Sequence, residues 1–404
     1  MIKNINLDSI SKLFFALTCF SILISTAATN IFLILTIFFS ILTLRNMQQI
    51  KDIFYNEIAI SIILLYIIFI ISYTYTIASD TEVYDLLKKY FKFLYIPILF
   101  YIAKTKDFRD IALKYLVFGS TIILILSYLK YFNVLNPLAI ANIVGFSYQE
   151  KLMEGVTVFQ HSINHGIILS FVGFISFILA KKGNNSFLYV ISVCCFINTL
   201  LLNDSRSGYL ISTVLITIIF YQSFKHKKIT IFTIFLAITI SSLAVLSSNV
   251  GKSRILIAID NIIEIKNYNY DSSLGYRYIW FINGLNNFKE NPIFGSGVGS
   301  YKKTIEEFIK DKKFSKEHSL RLVTQNPHNE FISIVTQTGS IGLAIFLFFL
   351  YIIIKKKYDY FNIAILSTVL ISSLFNSAFY DNILGIFCIL IISLMNKQSY
   401  KKEN

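Results

Sequence analysis

Residues 326–357 read NPHNEFISIVTQTGSIGLAIFLFFLYIIIKKK, and this stretch decides the class of the chain. From Phe331 to Ile354 there is no charged side chain. A helix needs roughly 20 such residues to cross the hydrocarbon core of a bilayer. A soluble amphipathic helix would return to polar residues at helical period, whereas this run is apolar on nearly every face. It stops at Lys355, Lys356 and Lys357, the kind of cluster that keeps a loop on the cytoplasmic side. The segment is therefore predicted to be a transmembrane helix over 331–354.

The same pattern recurs outward from it, near 12–27, 29–44, 57–76, 90–103, 111–130, 165–180, 186–202, 208–224, 229–247, 360–376 and 380–395. The fold class that follows is an all-α polytopic membrane protein of about 12 transmembrane helices. Composition agrees, since 55% apolar and 16% aromatic residues in 404, with a mean hydropathy of +0.63, exceed what one soluble core can hide. Lys3 and Lys12 flank the first run and Ala27-Ala28 resembles a cleavage site, but another apolar run follows at once. The first run is therefore expected to be a retained helix and not a removed leader. The net charge of +14 is spread in short clusters between apolar runs, which speaks for topology and against nucleic acid. Cys19, Cys194, Cys195 and Cys388 lie inside apolar runs, so no disulfide framework or metal cluster is expected.

The short basic loops set the orientation. With the N-terminus inside, Arg45 and Lys51, Lys104 to Arg109, Lys181-Lys182, Lys225 to Lys228, Lys355 to Lys357 and the tail from Lys397 to Lys402 all fall on the cytoplasmic side. Both termini are then cytoplasmic. The chain divides into residues 1–249 with nine spans, a large outer loop over 250–329, and residues 330–404 with three spans and a tail. The loop carries 12 Lys or Arg against 8 Asp or Glu, a balance suited to acidic or phosphate-bearing glycolipids and equally to a plain solvated loop.

Three constellations map to that outer face. Asn203-Asp204-Ser205-Arg206-Ser207-Gly208 opens a span with helix-capping residues and sets Arg206 in the first turn, where free backbone N–H groups already favour an anion. An arginine at a helix end can also simply snorkel to the interface. Gly275 to Trp280 leads, through an amphipathic stretch with Trp280 as membrane anchor and Arg277 at the membrane surface, to the run Gly295-Ser296-Gly297-Val298-Gly299. That run is read as a flexible turn against the bilayer, because no P-loop Lys or Rossmann strand accompanies it. Asn326-Pro327-His328-Asn329 reads as a helix start with Asn326 as cap and His328 in the first turn, with Gly339 and Gly342 giving close helix packing. A positive helix end and nearby arginines would keep His328 neutral, as a general base requires; an interfacial histidine bonded to its neighbours is the plainer alternative. His161 and His165 are expected just outside the sixth span, where they could line an acceptor cleft. Asp204 reads as a cap, and the chain has no Asp-x-Asp pair of the sort that holds a divalent ion.

The pattern His328-Asn329, nine residues, Gly339, two residues, Gly342 resembles the signature of the bacterial O-antigen ligase family, within the superfamily of polyprenyl-linked glycan ligases and polymerases. Ser205 to Gly208 and Arg277 to Gly299 resemble the arginine-bearing segments of that family in the same order, and Lys88 to Lys92 a basic stretch. The resemblance implies a GT-C-like membrane fold and glycan transfer at the periplasmic face of the bacterial inner membrane. The donor it implies is an undecaprenyl-pyrophosphate-linked glycan, and the acceptor a sugar hydroxyl of the lipid A core. On the matching positions His328 becomes the base and Arg206 and Arg277 the pyrophosphate binders, with Asn329 and His165 as further substrate contacts. Neither a metal nor another cofactor is implied, and membrane lipid but not nucleic acid is the expected surrounding. A polymerase acting on a second lipid-linked repeat is the near alternative. A glycolipid flippase is the distant one, since it would use ionisable residues within spans.

Overall fold

The computed structural model describes residues 6–44, 47–136, 155–223, 227–310, 314, 316–356 and 359–395. The predicted outer segment 131–164 lies partly, and the basic tail from Lys397 wholly, outside them. Among the described residues all regular structure is helical. Each predicted apolar run falls on a helix, with one exception over 90–103. Four helices, Glu57–Tyr75, Lys106–Tyr131, Ser162–Gly183 and Glu330–Lys355, are long and apolar enough to cross a membrane. A fifth crossing arises if Ile234–Ser247 and Asn249–Lys266, which bend by 92° at their junction, count as one. The helices start where short polar side chains replace the missing intrahelical acceptor: Ser25 Oγ accepts from Ala28 N, Asn56 Oδ1 from Ala59 N, and Asp381 Oδ1 from Leu384 N.

The chain divides into two compact units. The first comprises Met1–Arg45, Ile102–Ile255 and Asp359–Thr368. In it, Leu7–Ser21 packs on Thr26–Leu42 and Lys106–Tyr131, while Ser162–Gly183 packs on Ser186–Ile197 and Arg206–Ser223. Glycine makes the last crossing close: a Cβ on Gly208 would lie 3.1 Å from Gly166 Cα, and Ser170 Oγ meets Ser212 Oγ at 2.7 Å across the pair. A single turn of π-helix, Asn198–Leu202, precedes the Arg206–Ser223 helix.

The second unit comprises Asn46–Tyr101, Leu256–Tyr358 and Val369–Asn404. Its axis is the long helix Glu330–Lys356, packed against Glu57–Ile71 and against Ser273–Glu290. The expected loop over 250–329 is itself helical, with Ser273–Glu290, Tyr301–Lys310 and Lys316–Leu322 around a core of Trp280, Tyr301, Ile305, Leu322 and Ile332. The expected span over 90–103 is broken: an amphipathic helix Asp80–Tyr90 passes through the 3-10 turn Phe91–Leu94 into the eight-residue helix Tyr95–Ile102, too short to cross. The break is held by polar burial. Lys92 Nζ donates to the Asp381 carbonyl, and the Tyr90 hydroxyl donates to the Glu330 carboxylate, whose other oxygen accepts from Phe379 N at 2.9 Å.

The Glu330–Lys356 helix is interrupted at Gly339 (φ 62°, ψ −155°), a backbone conformation open essentially to glycine alone. The interruption strands backbone groups within an otherwise apolar helix, where they need other partners. Residues 291–299 fill it: Ser296 N and Gly297 N donate to the Thr336 and Gln337 carbonyls at 2.8 and 3.0 Å, and Ser340 N donates to Pro292 O at 2.9 Å. Gly295, Gly297 and Gly299 all have positive φ and press against neighbouring backbone. The glycine run is thus a packed plug and not the flexible turn expected from its composition. Gly339, expected only to ease helix packing, is the break that the plug repairs.

Candidate functional site

His328 stands at the head of the Glu330–Lys356 helix, but outside it. Asn326 Oδ1 accepts from His328 N at 2.9 Å, turning the chain so that His328 takes the left-handed φ of 51°. The cap is Asn329, whose Oδ1 accepts from Ile332 N at 3.0 Å and whose Nδ2 donates to Leu374 O at 2.8 Å. The helix therefore starts three residues later than Asn326 and Pro327 suggest, because Asn326 spends its side chain on the turn. With both ends of its amide engaged, Asn329 shapes the entry to the helix in this structure.

The imidazole of His328 stacks on the indole of Trp280, ring centroids 5.1 Å apart and 28° between planes. Trp280 is no surface anchor. It is 8% exposed, its Nε1 donates to Leu322 O at 2.8 Å, and its carbonyl accepts from the Tyr301 hydroxyl at 2.8 Å, so the floor under the imidazole is fixed from both sides. Neither ring nitrogen of His328 is hydrogen-bonded to a described residue. Burial, and then the positive charge of Arg277, lower its pKa to about 4. A neutral histidine with an uncommitted nitrogen lone pair beside a guanidinium can take a proton from a hydroxyl while the guanidinium faces an anion. Arg277, on the Ser273–Glu290 helix one turn before Trp280, and His328 are thus brought together within one unit.

Arg206 belongs to the other unit, where it is the first residue of the Arg206–Ser223 helix. The cap there is Ser205, whose Oγ accepts from Gly208 N at 3.1 Å. Asp204, expected as a cap, instead pairs with Arg254, and Arg206 Nη2 donates to the Arg254 carbonyl at 3.4 Å. Two guanidinium-bearing residues therefore share this helix start. Arg254 escaped the sequence reading because it sits among ordinary loop charges, and only its spacing from Asp204 in three dimensions singles it out. His161 caps the Ser162–Gly183 helix through its ring, accepting from Ile163 N at 3.4 Å. His165 lies inside that helix with no exposed surface, its Nε2 at 3.0 Å from Asn198 Oδ1. Asn198 Nδ2 in turn donates to Ser127 Oγ at 2.9 Å, so His165 belongs to a buried polar chain with no face open to a substrate. Among the described residues no three or more His, Cys, Asp or Glu gather as a metal site.

Residues 190–347, which contain Arg206, Arg254, Arg277, His328 and Gly339, match the family profile described as O-antigen ligase. Over these residues the chain resembles the O-antigen ligase family. It is similar to the O-antigen ligase of Escherichia coli K12, 25% identical over 186 residues, which are 45% of this chain and 44% of that protein. It is also similar to an uncharacterized protein of Haemophilus influenzae Rd, 27% identical over 171 residues, 41% of this chain and 42% of the relative. The matches span less than half the length of either relative. The matched segment holds His328, its Trp280 floor and both arginine sites, while His165, Tyr90 and Lys92 lie in the chain before it. The family resemblance drawn from residues 200–345 is therefore confirmed.

Proposed function

We propose that this protein is an O-antigen ligase of the bacterial inner membrane, with its active face periplasmic and both termini cytoplasmic. It transfers a glycan from an undecaprenyl-pyrophosphate-linked donor to a sugar hydroxyl of the lipid A core. The observation that carries this reading is the neutral imidazole of His328, unbonded among the described residues, stacked on Trp280 beside the Arg277 guanidinium. His328 removes the proton of the acceptor hydroxyl as its oxygen bonds to the anomeric carbon. The bond from that carbon to the pyrophosphate oxygen breaks with inversion, and undecaprenyl pyrophosphate leaves carrying the electron pair. Arg277 offers a planar fork to the negative charge that grows on the leaving group. Arg206 is assigned to donor phosphate on its helix-start motif and the family resemblance; the Arg254 guanidinium beside it is balanced by Asp204. No divalent ion is needed when guanidinium groups neutralise the leaving group.

A deletion strain tests the reading through the banding of its lipopolysaccharide. Loss of the ligase leaves bare core while polymerised glycan accumulates on the lipid carrier. Core bearing a single repeat would assign the protein to the polymerases instead, and an unchanged ladder in a strain without a second copy of the gene would exclude both.

A further inference from the structure

Beyond the histidine, the second unit holds a cleft of about 920 Å³ that the proposed reaction does not use. It lies at the C-terminal end of the Ser273–Glu290 helix, against the glycine plug. Asn283, Asn286, Asn287 and Asn291 line it together with Ser296 and Thr304, and the rings of Tyr75 and Phe308 close its sides. Four carboxamides and two hydroxyls line it, carrying both donors and acceptors, with Asn283 donating to Thr304 and Asn287 and Asn291 to Ser296. The charges at the rim, Lys289 against Glu290 and Glu307, leave no positive excess to hold a phosphate. Such a lining suits a neutral, hydroxyl-rich ligand with apolar ring faces.

The wall also carries an unmet polar group. Asn287 is 6% exposed, its Nδ2 donates to Ser296 Oγ at 2.6 Å, and its Oδ1 has no hydrogen-bond partner among the described residues. Ser296 Oγ already accepts from Asn291 Nδ2 at 3.2 Å, and whichever way the Asn287 amide is turned, Ser296 satisfies one of its ends only. A buried amide half without a partner is costly, and natural proteins keep few of them. The neighbouring Asn283 is held by Thr304 Oγ1 at 3.1 Å, so the wall is fixed in place. Asn287 lies two turns beyond Trp280 on one helix, about 10 Å along its axis at 1.5 Å per residue.

We propose that this asparagine-lined cleft is a saccharide subsite, taking sugar residues of a substrate whose reacting atom lies at His328. The inference rests on the transferase reading for its choice of substrate. Two sources share the chemistry: the core oligosaccharide of the acceptor, and the repeat unit of the donor glycan. The lining favours either over pyrophosphate.

The experiment is binding to the full-length protein in detergent, by calorimetry and saturation-transfer NMR. The probes are delipidated core oligosaccharide and, separately, repeat-unit oligosaccharide released from the lipid carrier. At least one should bind, and His328→Ala should leave that binding unchanged. The Asn286 side chain makes no hydrogen bond to a described residue, so Asn286→Trp should fold while filling the cleft, and should weaken binding at least tenfold. Asn286→Ala, should the larger side chain prevent folding, should weaken it about threefold or more. Whichever oligosaccharide responds identifies the source. Failure of both to bind, binding indifferent to residue 286, or displacement by inorganic pyrophosphate overturns the subsite. The subsite and the transferase reading fail separately: oligosaccharide binding with an unchanged lipopolysaccharide ladder on deletion rejects the enzyme and keeps the cleft, and the reverse result rejects the cleft alone.

Discussion

At the scale of single residues, His328 and Arg277 carry opposite demands that one experiment can separate. If His328 is the base, His328→Ala should cut turnover by roughly a hundredfold or more, the range for losing general-base catalysis, while donor binding persists. Its imidazole is already neutral at pH 7, so activity limited by its protonation should hold down to mildly acid pH and fall only near pH 4, well below the ordinary histidine range. Arg277 is the second cause of that depression, after burial. Removing its charge favours imidazolium, so Arg277→Gln should move the acid limb of kcat/KM upward in pH, though short of the ordinary value because burial remains. An acid limb that stays put would show that the limb belongs to another group. Arg277→Lys keeps the charge but loses the planar fork, and should not restore full activity at normal protein abundance. The identity of these two residues was legible in the sequence from the spacing of His328 to Gly339 and from the arginine-bearing segment. Their stacking partner was not, because a lone tryptophan in an amphipathic stretch reads the same whether it anchors in lipid or supports an imidazole.

Among the elements, the broken helix Glu330–Lys356 and the plug over 291–299 form one unit of backbone hydrogen bonding. A Cβ on Gly339 would lie 2.3 Å from Ile293 O, in a conformation that non-glycine residues adopt only at a cost of about 1–3 kcal/mol. Gly339→Ala should therefore lower the apparent Tm of the detergent-solubilised protein and its yield in the membrane. Gly183→Ala is the control, since a Cβ there meets nothing within 4 Å, and it should be close to neutral. Glu330 is the second joint: it accepts from the Tyr90 hydroxyl and from Phe379 N with no exposed surface. Glu330→Ala would leave the buried Phe379 N–H unmatched, at about 1–3 kcal/mol, and the Tyr90 hydroxyl with only Ser333 Oγ at 3.3 Å, so it should destabilise more than Glu57→Ala, which lies in the first turn of its own helix. Equal thermal stability of the two variants would contradict the role given to Glu330. Neither joint could be read from the sequence, because a glycine in an apolar run and an acid at its head are compatible with an unbroken helix and a simple N-terminal charge.

For the whole molecule the open quantity is sidedness, which the placement of lysines predicts. Reporter fusions after Lys182, Lys228 and Lys356 should read as cytoplasmic, and fusions at Asp271 and Lys302 as exported. An exported signal from the lysine positions would put His328 and Arg277 in the wrong compartment for a periplasmic transfer. The metal-free mechanism belongs to the same scale, because it concerns the complete reaction. Purified protein supplied with lipid-linked glycan and acceptor should keep its rate in excess chelator, and a loss reversed by Mg²⁺ or Mn²⁺ would reject arginine as the means of holding pyrophosphate.

Local information determined much of this protein. Apolar runs and capping side chains placed the apolar helices other than the broken stretch over 90–103, because each depends on neighbours a few residues away in the chain, whereas the helices within 250–329 were read as a loop. The order of Arg206, Arg277, His328 and Gly339 carried the resemblance to the O-antigen ligase family that the profile match over residues 190–347 supports. Three features needed the tertiary structure: the break at Gly339 filled by residues 291–299, the pairing of Asp204 with Arg254, and the indole beneath His328. Each joins groups dozens of residues apart, and nothing in the chain near either partner records the other, since only packing decides which buried polar group meets which.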